Sequence, residues 1–87
     1  MRQMEITFEI EKHIGTINAV RDGWSKEVNL VSWNGNKAKV DIRDWDEEHT
    51  MMSRGITLTH EQMDRLCDLW TEYTAEEAHE NVENSET

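Results

Sequence analysis

Two runs rich in Val, Ile and Trp, Trp24 to Trp33 and Lys37 to Trp45, are separated only by Asn34-Gly35-Asn36. Turn-forming residues between two β-rich runs predict a hairpin, and the hairpin's register constrains the fold more than any other feature of the chain. A two-residue turn at Asn34-Gly35 would set Leu30 opposite Lys39 and Val28 opposite Asp41, mixing apolar and charged side chains on each face. A loop of odd length instead puts Val28, Leu30 and Ser32 on one face with Ala38, Val40 and Ile42. One side of the hairpin is then uniformly apolar, which is what a strand with one buried face requires. The opposite side carries Asn29, Val31 and Trp33 beside Lys37, Lys39, Asp41, Arg43 and Trp45. The odd loop is the expected one.

The flanking segments extend this sheet and back it with a helix. Ile6, Phe8 and Ile10 alternate with Thr7, Glu9 and Glu11, the period of a half-buried strand, and Ile14, Thr16 and Ile17 predict a second extended piece bent at Gly15. Asn18 to Gly23 reads as a polar loop and Asp46 to Arg54 as a charged one. Gly55 then introduces a short strand, Ile56-Thr57-Leu58. Thr59 with Gln62 three residues later forms a capping box, and Leu58 before the cap is placed to staple onto Met63, so a helix starts here. Met63, Leu66, Cys67, Leu69, Trp70 and Tyr73 make an apolar arc wider than one sheet contact needs, which points to two partners: the apolar sheet face and a second subunit. From about residue 78 the helix is expected to fray, giving a domain over residues 1–77 and an acidic, disordered tail over 78–87. The fold class is α+β.

With 87 residues the chain would bury only ~60% of its unfolded surface, so a second copy would add needed stability. No stretch approaches the ~20 apolar residues of a membrane span, and the N-terminal residues lack the apolar core of a secretory signal. The single cysteine, Cys67, allows no intrachain disulfide. These features predict a cytoplasmic protein without a membrane partner. The net charge of −10 argues, taken whole, against a nucleic-acid partner. The average misleads, because residues 12–54 hold seven basic and seven acidic side chains, whereas residues 55–87 hold Arg65 alone against nine acids. The acidity belongs to the C-terminal third, where a solubilising helix face and tail is the first reading and a specific regulatory role the second.

Enzyme chemistry finds little support. His60-Glu61 lacks the second His of a zinc-protease helix, His13, His49 and His79 are scattered, and no Gly-rich phosphate loop is present. Asp44, Asp46, Glu47, Glu48 and His49 lack the spacing of a calcium loop. Neither catalysis, a metal nor a cofactor is expected. The polar hairpin face is the unusual feature: Lys37, Lys39 and Arg43 line one strand with Trp45, and Trp33 stands across from them. Single-stranded nucleic acid is bound by such a combination, with cations tracking phosphates and bases stacking on rings. The competing reading, about equally supported by spacing alone, makes Trp33 and Trp45 a small satellite core with solvated cations around it.

Quoted together, GWSKEVNLVSWN (residues 23–34), KVDIRDW (39–45) and RGITLTHEQ (54–62) resemble the bacterial YdbC-type branch of the family of transcriptional positive cofactor four, the PC4-like family. A Trp-rich strand, a strand ending in Asp-Ile-Arg plus an aromatic, a basic-Gly-Ile-Thr-Leu strand and a terminal helix follow in that family's order. The resemblance covers roughly residues 6–74. It implies a curved antiparallel sheet with a C-terminal helix, a homodimer joined through the helices, and sequence-tolerant binding of single-stranded DNA, with RNA as an alternative, without catalysis. Carried over by position, Arg43 and Trp45 match the end of the Asp-Ile-Arg strand, Lys37 and Lys39 the basic hairpin, and Arg54 the basic residue before Gly-Ile. Trp24, Lys26, Asn29, Trp33 and Asn34 match the branch's own motif, and Met63, Leu66, Leu69, Trp70 and Tyr73 would form the dimer interface. This chain departs from the family in lacking a basic or Ser-rich N-terminal region and in its acidic C-terminal stretch. The expected roles are transcription regulation, replication or repair; the alternative is a protein-interaction module acting through the acidic helix and tail.

Overall fold

The computed structural model describes residues 6–85. Four strands, β1 (Phe8–Arg21), β2 (Trp24–Trp33), β3 (Lys39–Asp46) and β4 (Ile56–Leu58), form one antiparallel sheet in the order β1-β2-β3-β4, and α1 (His60–Ser85) follows. The α+β expectation holds. So does the hairpin parity: Val28 faces Ile42 and Leu30 faces Val40. The odd loop is made possible by Asn34 and Gly35, both at positive φ (51° and 76°), with the Asn36 amide donating to the Trp33 carbonyl at 2.9 Å.

Two expected boundaries moved. The extended pieces around Gly15 and the loop from Asn18 to Gly23 are one continuous strand, turned back onto β2 through Asp22-Gly23, where Gly23 takes φ 72°. Pairing along an edge held residues of low β-propensity in the strand, and the mismatch is absorbed in four register shifts, between Ile10/Lys12, His13/Gly15, Thr16/Asn18 and Ala19/Arg21. The helix, expected to fray from about residue 78, continues to Ser85; Glu and Ala are strong helix formers, and once the helix is nucleated they extend it. Its start is as expected. The Thr59 amide donates to Gln62 Oε1 at 2.9 Å and the Gln62 amide to Thr59 Oγ1 at 3.1 Å, the reciprocal capping box.

Ring contacts measure how strongly the sheet curls. Phe8 lies opposite Trp33 and Trp45 opposite Ser25, positions about 26 Å apart along a straight strand. Yet the Phe8 and Trp45 ring centroids are 5.1 Å apart, and Phe8 also meets Trp33 at 5.6 Å. The sheet therefore wraps around its own inner face, and the bulges of β1 supply the bend.

This curl reverses the expected burial. The polar hairpin face is the inner one, and there Val31, Trp45, Asn29 and Asp41 are all at 0% exposure. On the apolar outer face Val40 is buried, but Val28, Leu30 and Ile42 are only half-buried and Ile56 is exposed. The helix contacts β3 and β4 but extends away in a molecule 67 Å long, leaving Leu66, Leu69, Trp70 and Tyr73 between 45% and 63% exposed.

Candidate nucleic-acid interface

Asp41 organises the inner face. Its carboxylate, wholly buried in the middle of β3, accepts from Arg43 Nε at 2.6 Å and Arg43 Nη2 at 2.7 Å, from Trp33 Nε1 at 3.2 Å and from Thr57 Oγ1 at 3.1 Å. A buried carboxylate is tolerated because each oxygen is so satisfied, and the fork of the guanidinium fixes its orientation. Arg43 is held with its Cζ 4.6 Å from the Trp33 ring centroid, a cation–π arrangement. Three elements converge here: β2 brings Trp33, β3 brings Asp41 and Arg43, and β4 brings Thr57.

Gly55 permits that convergence. A Cβ at this position would collide with the Ile42 carbonyl and Arg43 Cβ, so the chain can pass this close to β3 only without a side chain. Arg43 also donates to the Ser53 carbonyl, at 3.4 Å through Nη1. The Arg-Gly-Ile segment is thus part of the scaffold that holds Arg43.

The residues expected at the interface separate into three groups, with Asn34 and Arg54 apart from them. Trp33, half-buried, and Arg43 lie together on the inner face; exposed Lys37 and Lys39 lie beside them, bordering a pocket of about 290 Å³ shared with Thr59, His60 and Glu61 at the start of α1. Asn29 and Trp45 share that face but are sealed in its interior, so Trp45 packs as core between Phe8 and His49 rather than presenting a free ring. The satellite-core reading therefore applies to Trp45. Trp24 and Lys26 belong by alternation to the opposite face of β2, with Lys26 Nζ on Asp44 Oδ1 at 2.8 Å. Asn34 pins the start of the sheet: its amide donates to the Thr7 carbonyl and its Oδ1 accepts from the Thr7 amide. Arg54 is exposed in the segment entering β4.

Several residues of the site were not legible in the sequence. Arg21, at the end of β1, stacks over Trp24 at 4.3 Å. His13 and His49, scattered in sequence, meet at Glu27, which is 6% exposed: His49 Nε2 lies 2.9 Å from both of its carboxylate oxygens and His13 Nδ1 3.5 Å from Oε1. A signal existed for Asp41, a carboxylate at the same parity as Lys39 and Arg43 in a β-run, where a cation two residues away lies on the same face. None existed for the histidines, because only the bulged register of β1 brings His13 opposite Asn29.

His49 is delivered by a tightly bonded loop. Asp46 Oδ1 accepts from the Thr50 and Met51 amides at 2.8 and 2.9 Å, and Oδ2 from the Thr50 hydroxyl at 2.9 Å. The Met51 amide foremost, opposed by partial desolvation and helped by Thr50, holds the Asp46 carboxyl below its ordinary value of 3.8. His49 sits within this loop at φ 59°, the left-handed region uncommon for a residue with a side chain.

The family model described as Transcriptional Coactivator p15 (PC4) matches residues 20–69, more than half of the chain, and spans the hairpin, the Asp41–Arg43 strand, β4 and the start of α1. The chain belongs to the PC4 family. An uncharacterized protein of Treponema pallidum (strain Nichols) is 39% identical over 62 residues, covering 71% of this chain and 73% of that protein. PC4 domains are nucleic-acid-binding and not enzymatic, and the inner face has the cation and aromatic chemistry such a domain uses. Among the described residues no helix is long and apolar enough to cross a membrane.

Proposed function

We propose that this PC4-family chain binds single-stranded DNA, and RNA as a secondary ligand, without strong sequence preference, as a cytoplasmic homodimer of the YdbC-type bacterial branch working in transcription regulation, replication or repair. The observation that carries this reading is the Arg43 guanidinium laid on the Trp33 ring and locked by buried Asp41, with Lys37 and Lys39 exposed alongside. A flexible single strand can bring its bases to the half-buried ring and its phosphates to the cations at once, which a stacked duplex cannot do. The Trp-rich β2 segment supports the assignment to the bacterial branch.

The acidic C-terminal third is compatible with this reading: of its described acids Glu61 alone borders the pocket of Lys37 and Lys39, and the others follow later in the chain. Anisotropy titrations of a labelled oligo-dT and of a duplex of equal length test it directly. Preferential binding of the single strand is expected, with log K falling as log salt rises and Lys39→Ala reducing that slope by roughly 0.7 for one lost phosphate contact. Equal or absent binding of both probes would favour the protein-interaction module instead.

A further inference from the structure

The inner face carries a second polar cluster, centred on Glu27 of β2 and unused by the reading above. Its hydrogen bonds determine where the imidazole protons sit. Asn29 Nδ2 donates to Glu27 Oε1 at 3.1 Å, so Asn29 Oδ1 is the atom that faces His13 Nδ1 at 2.7 Å, and His13 must donate from Nδ1. His49 Nε2, equidistant from the two oxygens of Glu27, likewise donates to the carboxylate. In their neutral forms each ring therefore keeps its lone pair on the other nitrogen: His13 Nε2, 3.3 Å from the Thr16 hydroxyl, and His49 Nδ1. Those lone pairs repel an anion. Protonation turns both nitrogens into donors and moves the cluster of Glu27, His13 and His49 from a net charge of minus one to plus one.

We propose that His13 and His49, joined through Glu27, form a proton-dependent contact site for nucleic-acid phosphate on the inner face. The two side chains are 51% and 37% exposed while that of Glu27 is 8% exposed, so the carboxylate backs the rings and the rings face solvent. Two pockets meet at the cluster. One of about 250 Å³ is lined by Ile10, His13, Glu27, Asn29 and His49. The other, about 430 Å³, takes in Arg21, Glu27, Trp45, Asp46, Glu47 and His49. The charged groups around His49 are therefore Glu27, Asp46 and Glu47 against Arg21, and those around His13 are Glu27 and the polar Asn29 and Thr16. Trp45 stands on the wall of the larger pocket with its ring enclosed behind it. The left-handed backbone of His49 and the Asp46-anchored loop hold one ring against Glu27 at some conformational cost.

The sign follows from linkage. A phosphate beside the imidazolium favours the protonated state, so the bound complex takes up protons and affinity rises as pH falls across neutrality. Asp46 does not confuse that window, because its carboxyl is held below 3.8 and the loop keeps its anchor throughout.

This inference rests on single-strand binding at the inner face, and the test separates the two. Anisotropy titrations of labelled oligo-dT with the full chain, at constant ionic strength from pH 8.0 to 5.5, are expected to show roughly five- to ten-fold tighter binding at the acid end and a steeper salt dependence there. In H13Q/H49Q the affinities at the two pH values should fall within about two-fold of each other. Near-UV circular dichroism of the tryptophans checks that the variant is folded. Binding that is present but equal at both pH values in the wild type overturns the proton linkage alone. A pH profile unchanged in folded H13Q/H49Q overturns it too, and absence of binding at either pH overturns both this inference and the site it rests on.

Discussion

At the scale of single residues, the inner face separates two tryptophans that the sequence treats alike. Trp33 is half-buried, with its indole N–H on Asp41 and Arg43 across its ring, whereas Trp45 is fully enclosed. Their Ala variants should diverge. Trp33→Ala is expected to weaken single-strand binding by ~1–3 kcal/mol, because a stacking surface is removed. Trp45→Ala should cost ~3–5 kcal/mol of folding stability, because a large enclosed ring leaves a cavity. Chemical denaturation and oligo-dT titration of both variants check this; normal stability in Trp45→Ala would contradict its place in the core. Asp41 is the further residue-level lesson: a carboxylate on a nucleic-acid-binding face is unfavourable for phosphate unless it is neutralised locally, and Arg43 does so through two hydrogen bonds.

At the scale of elements, the short β4 does more than extend the sheet. It reaches β3 at a point where only glycine fits, and Thr57 adds a hydroxyl to Asp41 from that position. Gly55→Ala is therefore expected to displace Arg43 and lower both stability and single-strand affinity, with the thermal midpoint falling by several degrees. An unchanged midpoint would mean that β4 can shift away at little cost. The helix start, by contrast, depends on local chemistry alone, and Thr59 with Gln62 was readable as a cap because both partners lie within one turn. The helix end was not readable in the same way, since composition rich in Glu and Ala suits both a solvated helix and a disordered tail.

At the scale of the whole molecule, the curled sheet closes one face and leaves the other wanting cover. Half-buried Val28, Leu30 and Ile42, exposed Ile56, and the exposed helix arc of Leu66, Leu69, Trp70 and Tyr73 are the apolar side chains left open to solvent there. The proposed homodimer would bury this surface. Light scattering at micromolar concentration should give about twice the chain mass of 10.3 kDa, and L69E/W70E should shift it towards one chain. A wild-type monomer would contradict the proposed dimer.

The sequence by itself determined the strand hairpin, its odd register, the helix cap and the family, because alternation, turn chemistry and capping act over a few residues and leave their pattern in order along the chain. Which hairpin face would be interior was decided only by tertiary structure. The apolar face had the composition of a core, but four register shifts in β1 bend the sheet the other way, so Trp45, Asn29 and Asp41 became enclosed and Trp33 and Arg43 were left at the margin. The same bend gathered His13, Glu27 and His49 from three separate segments. Curvature is the sum of small local irregularities, and a sum of that kind places distant residues together without marking any one of them in the sequence.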